Sequence, residues 1–247
     1  MLSDLLEYGL RTAPGLALFG VCYALVRRDR DPLLRIAVLI LGFVLLRDAM
    51  TPLGFWRFGV TDGGAAWLRF TDDWRVLAVF AASTLALTAA VLRLDPGLRS
   101  LVRWGTPDPA TLAWGAAGGV LAAGPVLLLA TLQPLHERGG EVAATLLPML
   151  LVFALAGNLL EEVLFRGFLQ GRLDETFGAT RAALLSGLLF AACHSFLAST
   201  VTDVGASLLL FTLYEGLICA FLRNRRGVIA STVAHGLAIF LLAGALV

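Results

Sequence analysis

Apolar runs of about twenty residues recur along this 247-residue chain. That is the length a helix needs to cross the hydrocarbon core of a bilayer. Reading the runs between charged or Pro/Gly-rich breaks places helices near residues 9–26, 33–50, 74–92, 111–132, 142–166, 181–197, 204–222 and 227–247. The expected fold is therefore an all-α polytopic membrane protein of about eight transmembrane helices, and 58% hydrophobic residues agree with it. Arg11 and Arg35 interrupt the first two runs, and the stretch 51–73 predicts a short interfacial helix around Phe55, Trp56 and Trp67.

The polar residues between the runs say less. All 19 basic residues are arginines, and 13 of them, among them Arg27, Arg28, Arg30, Arg35, Arg166 and Arg223, fall after the first, third, fifth and seventh runs. Five, Arg47, Arg57, Arg69, Arg75 and Arg138, fall after the second and fourth. The positive-inside rule then puts the larger set in the cytoplasm and both termini outside. A net charge of +1, without a basic stripe interleaved with aromatics, disfavours nucleic acid as a partner. Cys22, Cys193 and Cys219 are odd in number and lie in apolar runs, so they read as small packing residues. No cleavable signal peptide is expected. Without repeats or a low-complexity linker, residues 1–247 form a single transmembrane domain, with the chemically suggestive residues confined to 142–247.

Those residues begin with Glu161, Glu162 and Arg166, set in a stretch otherwise fit for lipid. One charge near the centre of a spanning helix costs about 2.5–3.5 kcal/mol, and three cost on the order of 10 kcal/mol before pairing. Glu162 and Arg166 are four apart with the acid first, the better order for an ion pair. Glu161 points about 100° away and is left for chemistry. The plain alternative is a helix end emerging into water, where the pair marks the interface. Of three histidines, His194 and His235 lie inside separate apolar runs, while His136 sits in a loop beside Glu137 and Arg138. A lone intramembrane histidine is commonly a packing residue; two near a carboxylate are harder to dismiss. Helix rise sets Glu161 and His194 at similar depth if the first helix continues to about residue 175 and the next begins near 178, since 14 and 16 residues span about 21 and 24 Å. His235 lies about 13 Å from its turn and fits that level loosely.

In these residues the chain resembles the CPBP intramembrane proteases, which include the type II CAAX prenyl endopeptidases and bacterial relatives. Their EExxxR motif is met by Glu161, Glu162 and Arg166, and their FxxxH motif by Phe190 and His194. A third motif, histidine followed four residues later by asparagine or a similar polar residue, is half met: His235 is present, and the later position is Ile239. The resemblance implies an eight-helix fold around a polar cavity. It also implies a glutamate-type endopeptidase in which Glu161 and His194 activate water, His235 stabilises the oxyanion, and Glu162 with Arg166 supports the helix around Glu161. No cofactor and no metal is expected. Ile239 cannot donate to an oxyanion, so another donor must substitute or activity is weakened. Asn158 and Ser231, each one turn from a site residue, are candidates by helical position. Glu215 is a further intramembrane acid, with Arg166, substrate, Arg223 or an interface as its alternatives.

Three other readings compete. Glu161, His194 and His235 resemble a zinc set, although no HExxH helix is present. Ser207 with His235 is loosely similar to a rhomboid-type serine site, but Leu208 stands where a glycine is needed. A non-enzymatic immunity or chaperone-like protein would keep the fold without turnover, and Ile239 favours it. The partners expected are the lipid bilayer and a membrane-anchored or lipid-modified protein or peptide substrate. The arginine-, alanine- and leucine-rich composition points to a prokaryotic cytoplasmic membrane.

Overall fold

The computed structural model describes residues 2–29, 31–202 and 204–246, and the side chains of all these except 2–9, 11, 12 and 16. Arg30 and the Arg11 side chain, used above, lie outside the described residues. Each apolar run lies largely in helix. In chain order these are α1 (Leu2–Val26), α2 (Leu33–Met50), α3 (Trp74–Leu94), the short α4 (Pro96–Ser100), α5 (Pro109–Ala130) and α6 (Leu147–Glu162). α6 continues through a π-helical stretch, Val163–Leu169, into α7 (Gln170–Phe177); α8 (Ala179–Ala192), α9 (Ala206–Arg226) and α10 (Val228–Ala243) follow. The turn at Gly178 falls where the depth argument requires it. Among the described residues five helical stretches are long and apolar enough to cross a membrane: Trp74–Leu94, Pro109–Ala130, Ala144–Phe177, Ala179–Val201 and Ala206–Arg226. α2 carries three charged groups, Arg35, Arg47 and Asp48, in its 18 residues.

Helix starts are set by side chains that take up unpaired amides. Asp73 accepts from the Arg75 amide at 2.9 Å, and Asp108, followed by Pro109, accepts from the Thr111 amide at 2.7 Å. α10 packs on α5 through small residues, with Gly115, Gly118 and Gly119 facing Ala230 and Ala234. Without a hydrophobic driving force in lipid, such close backbone approach supplies much of the attraction between helices. A second close approach lies at Gly227, φ +85°, where the chain turns from α9 into α10 against Trp104 and Gly105. The amides of Val228 and Ile229 donate there to Arg103 and Trp104 carbonyls at 2.8 and 3.1 Å.

Two expectations are corrected. The stretch 51–73 holds no interfacial helix: after a single 3-10 turn, Thr51–Leu53, it forms an antiparallel hairpin of β1 (Trp56–Val60) and β2 (Ala66–Phe70), with Phe58 opposite Leu68. Aromatic and β-branched residues on both sides, among them Trp56, Phe58, Val60, Trp67 and Phe70, favour strands, and Asp62-Gly63-Gly64 favours a tight turn. The fold is thus helical with one small hairpin. The loop placement of arginines is also corrected: Arg35, Arg166 and Arg223 lie in helical segments and, like Arg69 and Arg138, are buried within the fold.

Candidate active site

Glu161 and Glu162 close α6, and the next seven residues, all buried, form the π-helical stretch. A π-turn widens the helix and leaves carbonyls to outside donors, a device common at functional sites; here the Ser186 hydroxyl donates to the Phe165 carbonyl at 3.1 Å. Glu162 and Arg166 are both fully buried, and Arg166 Nη1 stands 3.0 Å from Glu162 Oε1 without hydrogen-bond alignment. Arg166 Nη2 donates to the Gly216 carbonyl at 3.0 Å, and its guanidinium lies over the Phe190 ring at 4.2 Å. The helix-end alternative fails, since neither group meets water.

His194 sits in the turn that ends α8. Its Nδ1 donates to the Phe190 carbonyl at 2.8 Å, which fixes the tautomer and leaves Nε2 as an acceptor. On α10, His235 Nδ1 donates to Glu162 Oε1 at 2.9 Å, and Nε2 stands 3.6 Å from both Glu161 Oε2 and Glu215 Oε2. Three carboxylates thus surround this ring, one accepting from Nδ1 and two near Nε2. Glu162 therefore joins Arg166 to His235, a wider role than propping its own helix.

Glu161, His194, His235, Glu215 and Asn158 all line one cavity of about 580 Å³. Asn158 faces it while its Nδ2 donates to the Ala154 carbonyl at 2.7 Å. Glu215 meets His235; its expected partners Arg166 and Arg223 are committed elsewhere, Arg223 to Asp174 at 2.9 Å. Ser231 is turned away, its hydroxyl donating to the Val228 carbonyl at 3.0 Å. Ile239 lines the cavity and brings no donor. Beyond this polar end the walls are apolar, built from Phe43, Met50, Phe80, Phe153 and the hairpin's Trp56, Phe58 and Phe70.

One residue that sequence reasoning misplaced completes the cluster. Arg47, assigned above to a loop, lies in the last turn of α2, lines the cavity, and donates from Nη1 to His194 Nε2 at 2.8 Å. The same Nη1 is 3.8 Å from Glu161 Oε1. The signal was present: an arginine–aspartate pair inside an apolar run demands a buried role.

Of the competing site chemistries, Ser207 lines the cavity but makes no hydrogen bond to either histidine among the described residues. No group of three or more His, Cys, Asp or Glu among the described residues has the arrangement to hold a metal ion.

The arrangement defines a class, helical membrane proteins with a glutamate–histidine pocket set among their helices. Residues 143–241 match the family described as type II CAAX prenyl endopeptidase Rce1-like. The match takes in Glu161, Glu162, Arg166, His194, Glu215, His235 and Ile239 and leaves out Arg47 and the hairpin. Neither a curated protein nor a solved structure matches the chain. The chain is an integral membrane protein whose C-terminal part is similar to a protease family.

Proposed function

We propose that this protein is an intramembrane glutamate-type endopeptidase that hydrolyses a peptide bond in a membrane-anchored or lipid-modified protein, in the cytoplasmic membrane of a prokaryote. One observation carries the reading: an acid on α6, a histidine after α8 and a histidine on α10 line a single cavity. Glu161 is the base. Among the described residues its carboxylate accepts no hydrogen bond and has only longer contacts to Arg47 and His235, so it is placed to take a water proton, while His194 Nε2 is the neighbouring acceptor. His235 is held by Glu162 and turns Nε2 to the cavity as a donor to the oxygen of the attacked carbonyl. The apolar walls suit an apolar segment or a lipid chain beside the scissile bond.

A non-enzymatic role draws its support from Ile239, where a donor is lacking. The two readings part on Glu161→Ala and His194→Ala variants that still reach the membrane. Loss of a general base typically costs 10²–10⁴ in rate. A comparison of membrane peptidomes from wild-type and Glu161→Ala cells should show an uncleaved precursor accumulating in the variant. Unchanged peptidomes with an intact cellular phenotype would favour the binding role.

A further inference from the structure

An oxyanion formed inside a protein is normally met by more than one fixed donor. His235 is one; position 239, a turn further along α10 and on the cavity wall, is isoleucine. From α2 the geometry points to a second donor: we infer that Arg47 is a catalytic residue of this site and that its Nη1 binds the oxygen of the attacked carbonyl.

The guanidinium is built for that task. Its Nε donates to Asp48 Oδ1 at 2.8 Å, and its Nη2 lies 2.8 Å from the same oxygen and donates to the Cys193 carbonyl at 3.0 Å. Two of its three nitrogens are thereby anchored, one of them on a buried aspartate, and the third is turned to the site. Arg47 and His235 flank the same carboxylate, Nη1 at 3.8 Å from Oε1 and His235 Nε2 at 3.6 Å from Oε2. A carbonyl carbon attacked by water on Glu161 therefore lies between the Arg47 and His235 nitrogens. An anchored guanidinium is always charged and needs little reorganisation, which is the condition under which such donors help most.

The inference rests on the hydrolytic reading above, and the step balances without a further reagent. Water entering on His194 Nε2 takes the acceptor that Nη1 now uses, which frees that N–H. Glu161 removes a proton as the water oxygen bonds to the carbonyl carbon, and the π pair moves onto the carbonyl oxygen between Arg47 and His235. Collapse re-forms the carbonyl, breaks the C–N bond and returns the proton from Glu161 to the departing nitrogen. The products are a carboxylic acid and an amine.

The test uses the full chain in bicelles and two internally quenched peptides, one with an S-farnesyl cysteine near its C-terminus and one with an apolar C-terminal helix. Arg47→Ala should lower kcat by about 10²–10³ with KM within twofold, as loss of an oxyanion donor does. Arg47→Lys should keep part of the rate. Adding Ile239→Asn to Arg47→Ala should recover at least about tenfold, because a neutral donor is restored on the cavity wall. Thermal midpoints identify a variant that has merely unfolded; if Arg47→Ala does so, Arg47→Lys alone carries the test, and the rescue is read only where Arg47→Ala is folded. An Arg47→Ala rate equal to or above wild type would mean that Arg47 is spectator or latch, and would overturn the inference; so would a change in KM alone, or no rescue. Cleavage by Glu161→Ala, or none by the wild type on either peptide, would bring down the hydrolytic reading instead. A dead Glu161→Ala beside an unimpaired Arg47→Ala would sink only the assignment of Arg47.

Discussion

Residues 143–241 bring Glu161, His194, Glu215 and His235 to the cavity from four separate elements, whereas the part of the chain before them brings one charged group, Arg47, and the aromatic wall of a hairpin. Each acid and imidazole of the first region is tied to a neighbour by burial or hydrogen bonding, down to the fully buried Glu162 and Arg166. The hairpin meets the cavity chiefly through ring surfaces. The first region therefore holds the acids and imidazoles of the cavity in place, while the hairpin shapes what lies against them. Damage to the first should cost stability and rate together; damage to the hairpin should alter recognition.

The sharpest way to break that division is at Arg166. Its guanidinium is wholly buried between Glu162, the Gly216 carbonyl and the Phe190 ring, so Arg166→Ala breaks a buried pair and leaves the Glu162 carboxylate with His235 as its remaining partner. Breaking such a pair costs about 3–5 kcal/mol. Thermal unfolding in detergent should show a marked loss of stability, and a variant as stable as wild type would mean that Glu162 is neutral or finds another partner. Next in size is the seam behind the site. A methyl group at Gly119 would stand 2.7 Å from the Ala234 carbonyl oxygen and 2.9 Å from the Leu237 Cβ, on the helix that carries His235. Gly119→Ala should cost about 1–3 kcal/mol by overpacking, read in the same unfolding assay. Loss of stability should come with loss of rate, since α10 must shift to admit the methyl.

What the amino-acid sequence disclosed follows the same division. The helices were legible because apolar runs of spanning length need no partner to be recognised. Glu161, Glu162 and Arg166 were legible because their spacing fits one helix, and His194 and His235 because an imidazole in an apolar run is rare enough to notice. Arg47 was not placed, although its pairing with Asp48 inside an apolar run was a signal of burial; what it meets could come only from the fold, which sets His194 across from it. The hairpin was hidden by its aromatics, which suit an interface as well as a strand. Its turn residues were the better signal: Gly64 has φ +83°, and the Thr61 hydroxyl accepts from the Ala65 amide at 3.1 Å. The π-stretch after Glu162 has no sequence mark that separates it from ordinary helix.

A smaller effect belongs to the hairpin. Phe58 lines the cavity and also packs against the cluster of Leu197, Ala198, Val204 and Leu208. Phe58→Ala should raise KM by about tenfold, equivalent to about 1.4 kcal/mol, and leave kcat nearly unchanged. Steady-state kinetics on the two quenched peptides decide it, and a fall in kcat of similar size would erase the distinction between shaping and reacting regions.

The smallest effect lies outside the bilayer, where the two regions are tied together. Arg172 of α7 donates from Nε and Nη2 to the two carboxylate oxygens of Asp31, both at 3.2 Å, and Asp31 also accepts from the Leu33 amide at the head of α2. The Arg172 guanidinium first, and then that amide, hold the Asp31 carboxyl below the usual carboxylate range. A group whose pKa is depressed by folding stabilises the fold above its unfolded value, about 3.9, and loses that contribution as pH falls through the lower folded value. The pair is exposed, so solvent and salt screen it strongly. The gap in thermal midpoint between wild type and Asp31→Asn should therefore be small, constant from about pH 7 to pH 5, narrower below about pH 4, and reduced by added salt. A gap that widens in acid would reverse the sign. It would mean that the tie between α7 and the head of α2 is held by something other than this carboxylate.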